Sequence, residues 1–266
     1  RMLGGDVRLD GGLVLAPGAT STRNAPTLIR ASGTATAEGL RQASEFGFVA
    51  RLARQASGSA AYTAALSFRR GVPEWVVQSN LQGMALSLPA PLQKNAATPL
   101  SLHLQAELLN GALTAGVASP PLRDRFSMGL GTLGRVVYER DVSGEVARVL
   151  RGAIEVGLGS QETSPLPGQG VSANIKLSQF NVDAWKEVLS QATGTPLAVG
   201  VGDATVADAT VSEAMSYLPT LLAVRADRLT FGGRQFNQVV VGGGRDGTLW
   251  RANLDADELN GYLEYR

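Results

Sequence analysis

The sequence predicts a mainly-β protein made of many short antiparallel strands, with one short helix near residues 182–193. Three observations carry this. Apolar and polar residues alternate with a period of two in segment after segment. The strictest case sets Leu100, Leu102, Leu104, Ala106 and Leu108 against Ser101, His103, Gln105 and Glu107, so that one face is apolar and the other wet. The 32 glycines suit many turns and few long helices. The connections between β candidates look short, which fits antiparallel hairpins, because parallel strands need long crossovers.

Val7–Leu15 alternates Val7 and Leu9 with Arg8 and Asp10, then turns at Gly11-Gly12. Asn24-Ala25-Pro26 is a loop and Thr27–Glu38 a strand rich in threonine and small residues; Leu40–Phe48 reads as one helical turn or a wide connection. In Ser59–Arg70, Tyr62, Ala64, Leu66 and Phe68 face one way. Val72–Leu104 reads as two long strands, the first running from Trp75 to Leu88. Pro89 and Pro91 end that strand, because proline has no N–H for the ladder.

Asn110-Gly111 signals a hairpin, with Leu113, Ala115 and Val117 beyond it. Phe126, Met128 and Leu130 alternate, Val136–Tyr138 is a β run, and Ile154, Val156 and Leu158 alternate again. Ser164–Gly170 is the place for a flexible excursion, within a loop near 160–170. Val171, Ala173, Ile175 and Leu177 share a face. The helix follows, with Asn181 or Asp183 as cap, Trp185, Val188 and Leu189 at helical spacing, and Gly194 then Pro196 to end it. Four β runs close the chain: Leu221–Phe231, Gln235–Val241, Thr248–Leu254 and Tyr262–Tyr265, with turns at Gly232-Gly233, Gly242–Gly247 and Asp255–Gly261. The count is roughly fourteen to eighteen strands, too wide for a flat open sheet, so the sheet must curl, close or split. A barrel or sandwich would fill the space over the apolar face; an open trough would leave it for a ligand.

Composition excludes several function classes. Against 24 basic residues stand 23 acidic ones, a net charge of +1, which is no footprint for nucleic acid. With no cysteine there is no disulfide, thiolate chemistry or Cys-ligated zinc. No apolar run approaches the length of a membrane-spanning helix, and Arg1–Asp10 has no signal-peptide pattern. The chain begins and ends in strand-like sequence and reads as one continuous segment, 1–266, of something longer.

No motif points to catalysis. Gly129-Leu130-Gly131-Thr132-Leu133-Gly134 spells the dinucleotide fingerprint, but β-like sequence follows where a helix N-terminus is needed. Gly242–Gly247 lacks the lysine and Ser/Thr of a phosphate loop and reads as a hairpin turn. Asp255, Asp257 and Glu258 lack the spacing of a calcium loop. His103, the only histidine, sits on a polar strand face with no triad partners. Trp75, Trp185 and Trp250 are too scattered for a stacking platform and serve as core anchors. No cofactor is expected, no metal site, and no enzyme activity; a hydrolase would need convergent carboxylates.

Several stretches resemble YhdP-type members of the AsmA-like envelope protein family. They are Trp75–Gly83 with the LPAPLQK segment Leu88–Lys94 and Pro99-Leu100; Phe180-Asn181-Val182-Asp183-Ala184-Trp185; and Ala226–Asn237 with Trp250 and Gly261-Tyr262-Leu263. The resemblance implies a segment of a long curved antiparallel sheet, a trough with an apolar inner face. It further implies a protein anchored in the inner membrane of a Gram-negative bacterium, crossing the periplasm and letting phospholipids pass to the outer membrane. Its partners would be phospholipid acyl chains and outer-membrane or other envelope proteins. On this reading the groove lining is Tyr62, Leu66, Phe68, Leu100, Leu102, Leu104, Val171, Ile175 and Leu177, and a charge at Leu102 impairs lipid occupancy. The competing expectation is a structural or interaction module of the envelope with a filled core.

Overall fold

The computed structural model describes residues 2–13, 27–43, 50, 52–69, 71–109, 121–144, 146–159, 162, 164–193, 216–247 and 249–265. The expected hairpin at Asn110-Gly111 with Leu113, Ala115 and Val117, and the helix stop at Gly194 and Pro196, lie outside these. Fourteen strands and two α-helices are present among the described residues, as a mainly-β sequence requires. The chain divides into two compact units, Arg1–Leu86 with Lys94–Gly131, and Ser87–Gln93 with Thr132–Arg266.

The first unit contains β1 (Val7–Leu13), β2 (Thr27–Thr36), α1 (Ala37–Gln42), a 3-10 turn at Ala53–Gln55, β3 (Ala56–Arg69), β4 (Val72–Ser79), β5 (Met84–Leu86), β6 (Leu102–Leu108) and β7 (Arg123–Leu130). Its main strands run β1-β2-β3-β4-β6-β7, every pair antiparallel. Gly11 and Gly12 are in β1, paired with Ile29 and Leu28, and do not turn. The Thr36 hydroxyl ends β2 and caps α1, accepting from the Gly39 amide at 2.9 Å. The helix therefore starts at Ala37, before the Leu40 start expected.

The stretch Trp75–Leu88 is not one strand. After Ser79 the ladder is interrupted, and β5 resumes pairing with the start of β3 in the same antiparallel sense as β4, Ser79 standing opposite Tyr62 and Met84 opposite Gly58, while β4 also pairs with β6. Short polar side chains make the turn: the Ser79 hydroxyl accepts from the Leu81 amide at 3.0 Å and donates to the Ala61 carbonyl at 2.7 Å. The Asn80 side chain accepts from the Gln82 amide at 3.1 Å. Gly83 has a φ of 93°, and a Cβ there would sit 2.4 Å from the Ser59 carbonyl oxygen, so only glycine fits. These local contacts outweigh the extended preference of the sequence. Around β5, Ala37, Ala56, Ala60 and Met84 form a small core, with Leu40, Leu81 and Leu86 packed against it.

The second unit contains β8 (Gly134–Asp141), β9 (Arg148–Val156), β10 (Gly170–Asn181), α2 (Val182–Thr193), β11 (Leu221–Phe231), β12 (Arg234–Asp246), β13 (Leu249–Asp255) and β14 (Asn260–Tyr265), with the strands in sequence order. The expectation of antiparallel pairing fails at one strand: β10 is parallel to both β9 and β11. Both connections are long, from Val156 to Gly170 and from Asn181 to Leu221, and the second carries α2. Each has the length a parallel crossover demands. Gly242, Gly243 and Gly244 do not turn either; they are strand residues of β12, paired with Asn253, Ala252 and Arg251. A Cβ on Gly243 would lie 2.4 Å from the Arg251 carbonyl oxygen, so here glycine permits close strand approach.

Candidate functional site

Antiparallel register carries the alternation of each strand of the first unit into the next. One row of side chains reads Ile29, Leu66, Trp75, Ala106, Phe126. The next reads Leu9, Ala31, Ala64, Val77, Leu104, Met128, and the third Val7, Gly33, Tyr62, Ser79, Leu102, Leu130. Neighbours in a row share a face, so these rows form one apolar surface across six strands. The opposite face carries Arg8, Ser32, Thr63, Gln78 and His103 in one row. There the Gln78 amide meets His103 Nδ1 at 3.3 Å, and His103 Nε2 meets Gln105 at 3.3 Å. A cleft of about 610 Å³ lies at this end of the strands, lined by Ser32, Tyr62, Thr63, Gln78, Leu102 and His103 among others.

The apolar face is half-covered and not buried. Leu66, Trp75, Val77, Leu102, Leu104, Met128 and Leu130 all fall between buried and exposed. Leu9 is 63% exposed and Phe68 47%. A filled core would bring such side chains close to zero exposure. Deep burial on this face falls at Ala106, at the Leu108–Asp124 pair at one end of β6 and β7, and at Ala60, which joins the small core beside β5.

The second unit repeats the pattern. Val136, Ile154, Ala173, Leu222, Gly243, Ala252 and Leu263 form one row, and Val156, Ile175, Val224, Val241 and Leu254 the next. Ile175, Val224, Val241 and Leu254 are half-covered, while Ala226 and Val239, one row along from them, are buried. The connection after β9 lies over the opposite, polar face. There Ser164 N donates to Glu155 Oε1 at 2.6 Å and Lys176 Nζ pairs with Glu162 at 3.4 Å. The Gly159 amide and the Lys176 ammonium hold the Glu162 carboxyl below its ordinary pKa. This segment borders a cleft of about 270 Å³ with Asn174, Ile175 and Arg225 in its wall.

The residues expected to line a groove are placed as follows. Tyr62, Leu66, Leu102 and Leu104 share the apolar face of the first unit, and Phe68 continues it opposite Pro73. Leu100 precedes β6 by two residues, its amide donating to the Asn80 carbonyl at 2.7 Å. Ile175 and Leu177 share the apolar face of the second unit. Val171 has the same parity but is only 1% exposed, so it presents no surface. Trp75, Val77, Phe126, Met128 and Leu130, and Val224, Val241 and Leu254, stand on the same faces and are not among the residues expected from the sequence. Their alternation was visible, but only register shows which strands stand beside which.

The residues of the family-like motifs work as joints. Asn181 caps α2 by accepting from the Ala184 amide at 2.9 Å. Asp183 accepts from both Gly232 and Gly233 amides at 2.9 Å; those glycines have φ of 60° and 70° and make the tight β11–β12 hairpin. These amides hold the Asp183 carboxyl below its ordinary pKa. Trp185 Nε1 donates to the Ala90 carbonyl at 2.9 Å. Lys94 is buried, its ammonium donating to the carbonyls of Met84 at 2.6 Å and Asn95 at 3.0 Å. Of the acidic tail residues, Glu258 accepts from the Asn237 amide at 2.8 Å.

An extended apolar surface with a polar reverse can hold aliphatic chains along its length without directional bonds. No group of three metal-ligating side chains gathers among the described residues. No helix among them is long and apolar enough to cross a membrane. No curated protein and no solved structure matches the chain. A family model, that of the YhdP protein, matches residues 3–266. Such membership is consistent with a lipid-transport protein of the bacterial envelope. With the match running through both units, the chain belongs to the YhdP family.

Proposed function

We propose that this chain is a stretch of a bridge-like conduit that carries phospholipids through the periplasm, acyl chains against the apolar face and headgroups toward water, without catalysis. The observation that carries this reading is the half-covered state of the apolar rows, such as Leu66–Trp75 and Val77–Leu104–Met128. Each acyl methylene laid on such a surface contributes ~0.8 kcal/mol, regardless of headgroup. Binding is therefore additive along the chain and weakly selective, as passage demands. The rows are mostly apolar, aliphatic and aromatic, so no directional bond holds a lipid in place on them. On this reading the protein is anchored at the inner membrane and delivers toward the outer membrane, where envelope proteins are its partners.

The test is mass spectrometry of lipid extracted from the purified protein, with a soluble protein of similar size as control. Stoichiometric phospholipid is expected. A lipid-free, stable, monodisperse protein would overturn the reading in favour of a structural module.

A further inference from the structure

The apolar face of the second unit ends in a row unlike the rest: Tyr138, Gly152, Val171, Thr220, Arg245 and Trp250. Register places Tyr138 beside Gly152 and Gly152 beside Val171. The Thr220 amide donates to the Val171 carbonyl at 2.7 Å, the Arg245 amide donates to the Thr220 carbonyl at 2.8 Å, and Arg245 pairs with Trp250. Side-chain parity puts this row on the same face as Ile175 and Val224.

The row is closed over. The Tyr138 ring lies across Gly152, where a Cβ would come within 2.3 Å of Tyr138 Cδ1. The Tyr217 ring meets it edge-on, with centroids 5.1 Å apart at 81°. The Tyr138 hydroxyl donates to the Tyr217 carbonyl at 3.0 Å, and Arg140 reaches the Tyr217 hydroxyl at 3.4 Å. On the other side, Arg245 Nε donates to the Pro219 carbonyl at 3.2 Å and Nη2 to that of Leu218 at 3.5 Å, with its guanidinium 5.8 Å from the Trp250 ring. Tyr217–Pro219 is thus tied to β8 at one end and to β12 at the other. In this row Val171 is 1% exposed and Tyr138 7%, and Ala173 in the next row is 2% exposed, whereas Ile175, two positions beyond Ala173 along the face, is half-covered.

We propose that Tyr217–Pro219, clamped by Tyr138 and Arg245, is a stop that bars acyl chains from the Val171 row of the second unit. The inference rests on the lipid-carrying reading and adds a boundary to it. Aliphatic chains settle on Ile175 and Val224 and halt at the tyrosine pair. One bond to a backbone carbonyl from Tyr138 and two from Arg245, together with the edge-on rings, make the strap part of the fold, so a chain does not slide beneath it by side-chain motion alone.

The test uses the protein loaded from phosphatidylethanolamine–phosphatidylglycerol vesicles doped with a phospholipid bearing a diazirine on its acyl chain. After irradiation, adducts are mapped by peptide mass spectrometry. Adducts are expected on Ile175, Leu177 and Val224, and none on Val171. In Tyr138→Ala they spread to Val171; in Tyr217→Ala, which leaves the Tyr138–Gly152 contact in place, they spread as well. Labelling of Val171 in the unaltered protein at the level of Ile175 would overturn the stop and leave the conduit standing. Unlabelled Val171 in both variants, with the folded circular dichroism spectrum retained, would overturn it too. Absence of adducts from the whole apolar face, with lipid bound elsewhere, would overturn the conduit and the stop together.

Discussion

Asp183, in the first turn of α2, accepts hydrogen bonds from the backbone amide of Gly233 and from that of its neighbour Gly232, both at 2.9 Å. One carboxylate thereby ties the helix that follows β10 to the hairpin between β11 and β12. The two glycines can offer adjacent amides because both have positive φ, a backbone that side chains rarely allow.

Replacing Asp183 by Ala therefore leaves two turn amides without their acceptor and loosens α2 from the hairpin. A lower melting temperature is expected, with earlier proteolysis near α2. The pH dependence has a definite sign. The folded carboxyl has a pKa below 3.8, so its contribution is complete above that value and is lost as pH falls through the folded pKa. Thermal melts from neutral pH down to acid are expected to converge for the native protein and D183A.

Lys94 supplies a second joint. Its ammonium satisfies the Met84 and Asn95 carbonyls within the β5 turn. Lys94→Met keeps the aliphatic length and removes both bonds, at an expected cost of about 1–3 kcal/mol in chemical denaturation. Burial holds the Lys94 pKa below 10.5, so the charge is penalised in the folded state. That penalty is present below the folded pKa and relieved as pH rises toward 10.5; Lys94→Met removes the rise.

Tyr138 titrates in the opposite sense. Burial, and then the neighbouring Tyr217, push its pKa up to about 12 from 10.0. The folded state holds the proton more tightly, so the contribution is complete below pH 10 and disappears as pH climbs to 12. Tyr138→Phe is expected to flatten this alkaline loss, read as melting temperature against pH, while costing about 0.5–1.5 kcal/mol for the lost bond to Tyr217.

The apolar face can be separated from a filled core by paired charges. Leu104→Asp places a carboxylate among Val77 and Met128; Thr63→Asp places one on the exposed polar face. On an open face the first variant stays folded and loses bound lipid, while the second stays folded and keeps it. In a sealed core Leu104→Asp would instead unfold the protein, since burying an unpaired carboxylate costs several kcal/mol. Lipid content and melting temperature, measured on both, decide.

Much of the strand pattern was legible in the sequence because alternation is a local property. Leu221–Phe231 is β11 to the residue, and Asn181 is the cap of α2. What misled were residues whose conformation depends on distant neighbours. Gly242–Gly244 read as a turn and are strand, paired with Asn253, Ala252 and Arg251, and at Gly243 the approach of Arg251 and Ala252 leaves no room for a side chain. Trp75–Leu88 looked like one strand and is two, because Ser79 and Asn80 hydroxyl and amide groups satisfy the backbone of the turn.

By itself the sequence determined that this protein is mainly β, that its strands have one apolar and one polar face, and which parity belongs to each. Period-two alternation and turn residues act over a few positions and need no partner to be read. Only the tertiary structure decided that β10 runs parallel to both neighbours, that Leu66 stands beside Trp75 and Leu104 beside Met128, and that Val171 is sealed while Ile175 is not. Those facts depend on register and on what crosses over a face, and both are set by contacts between residues far apart in the chain.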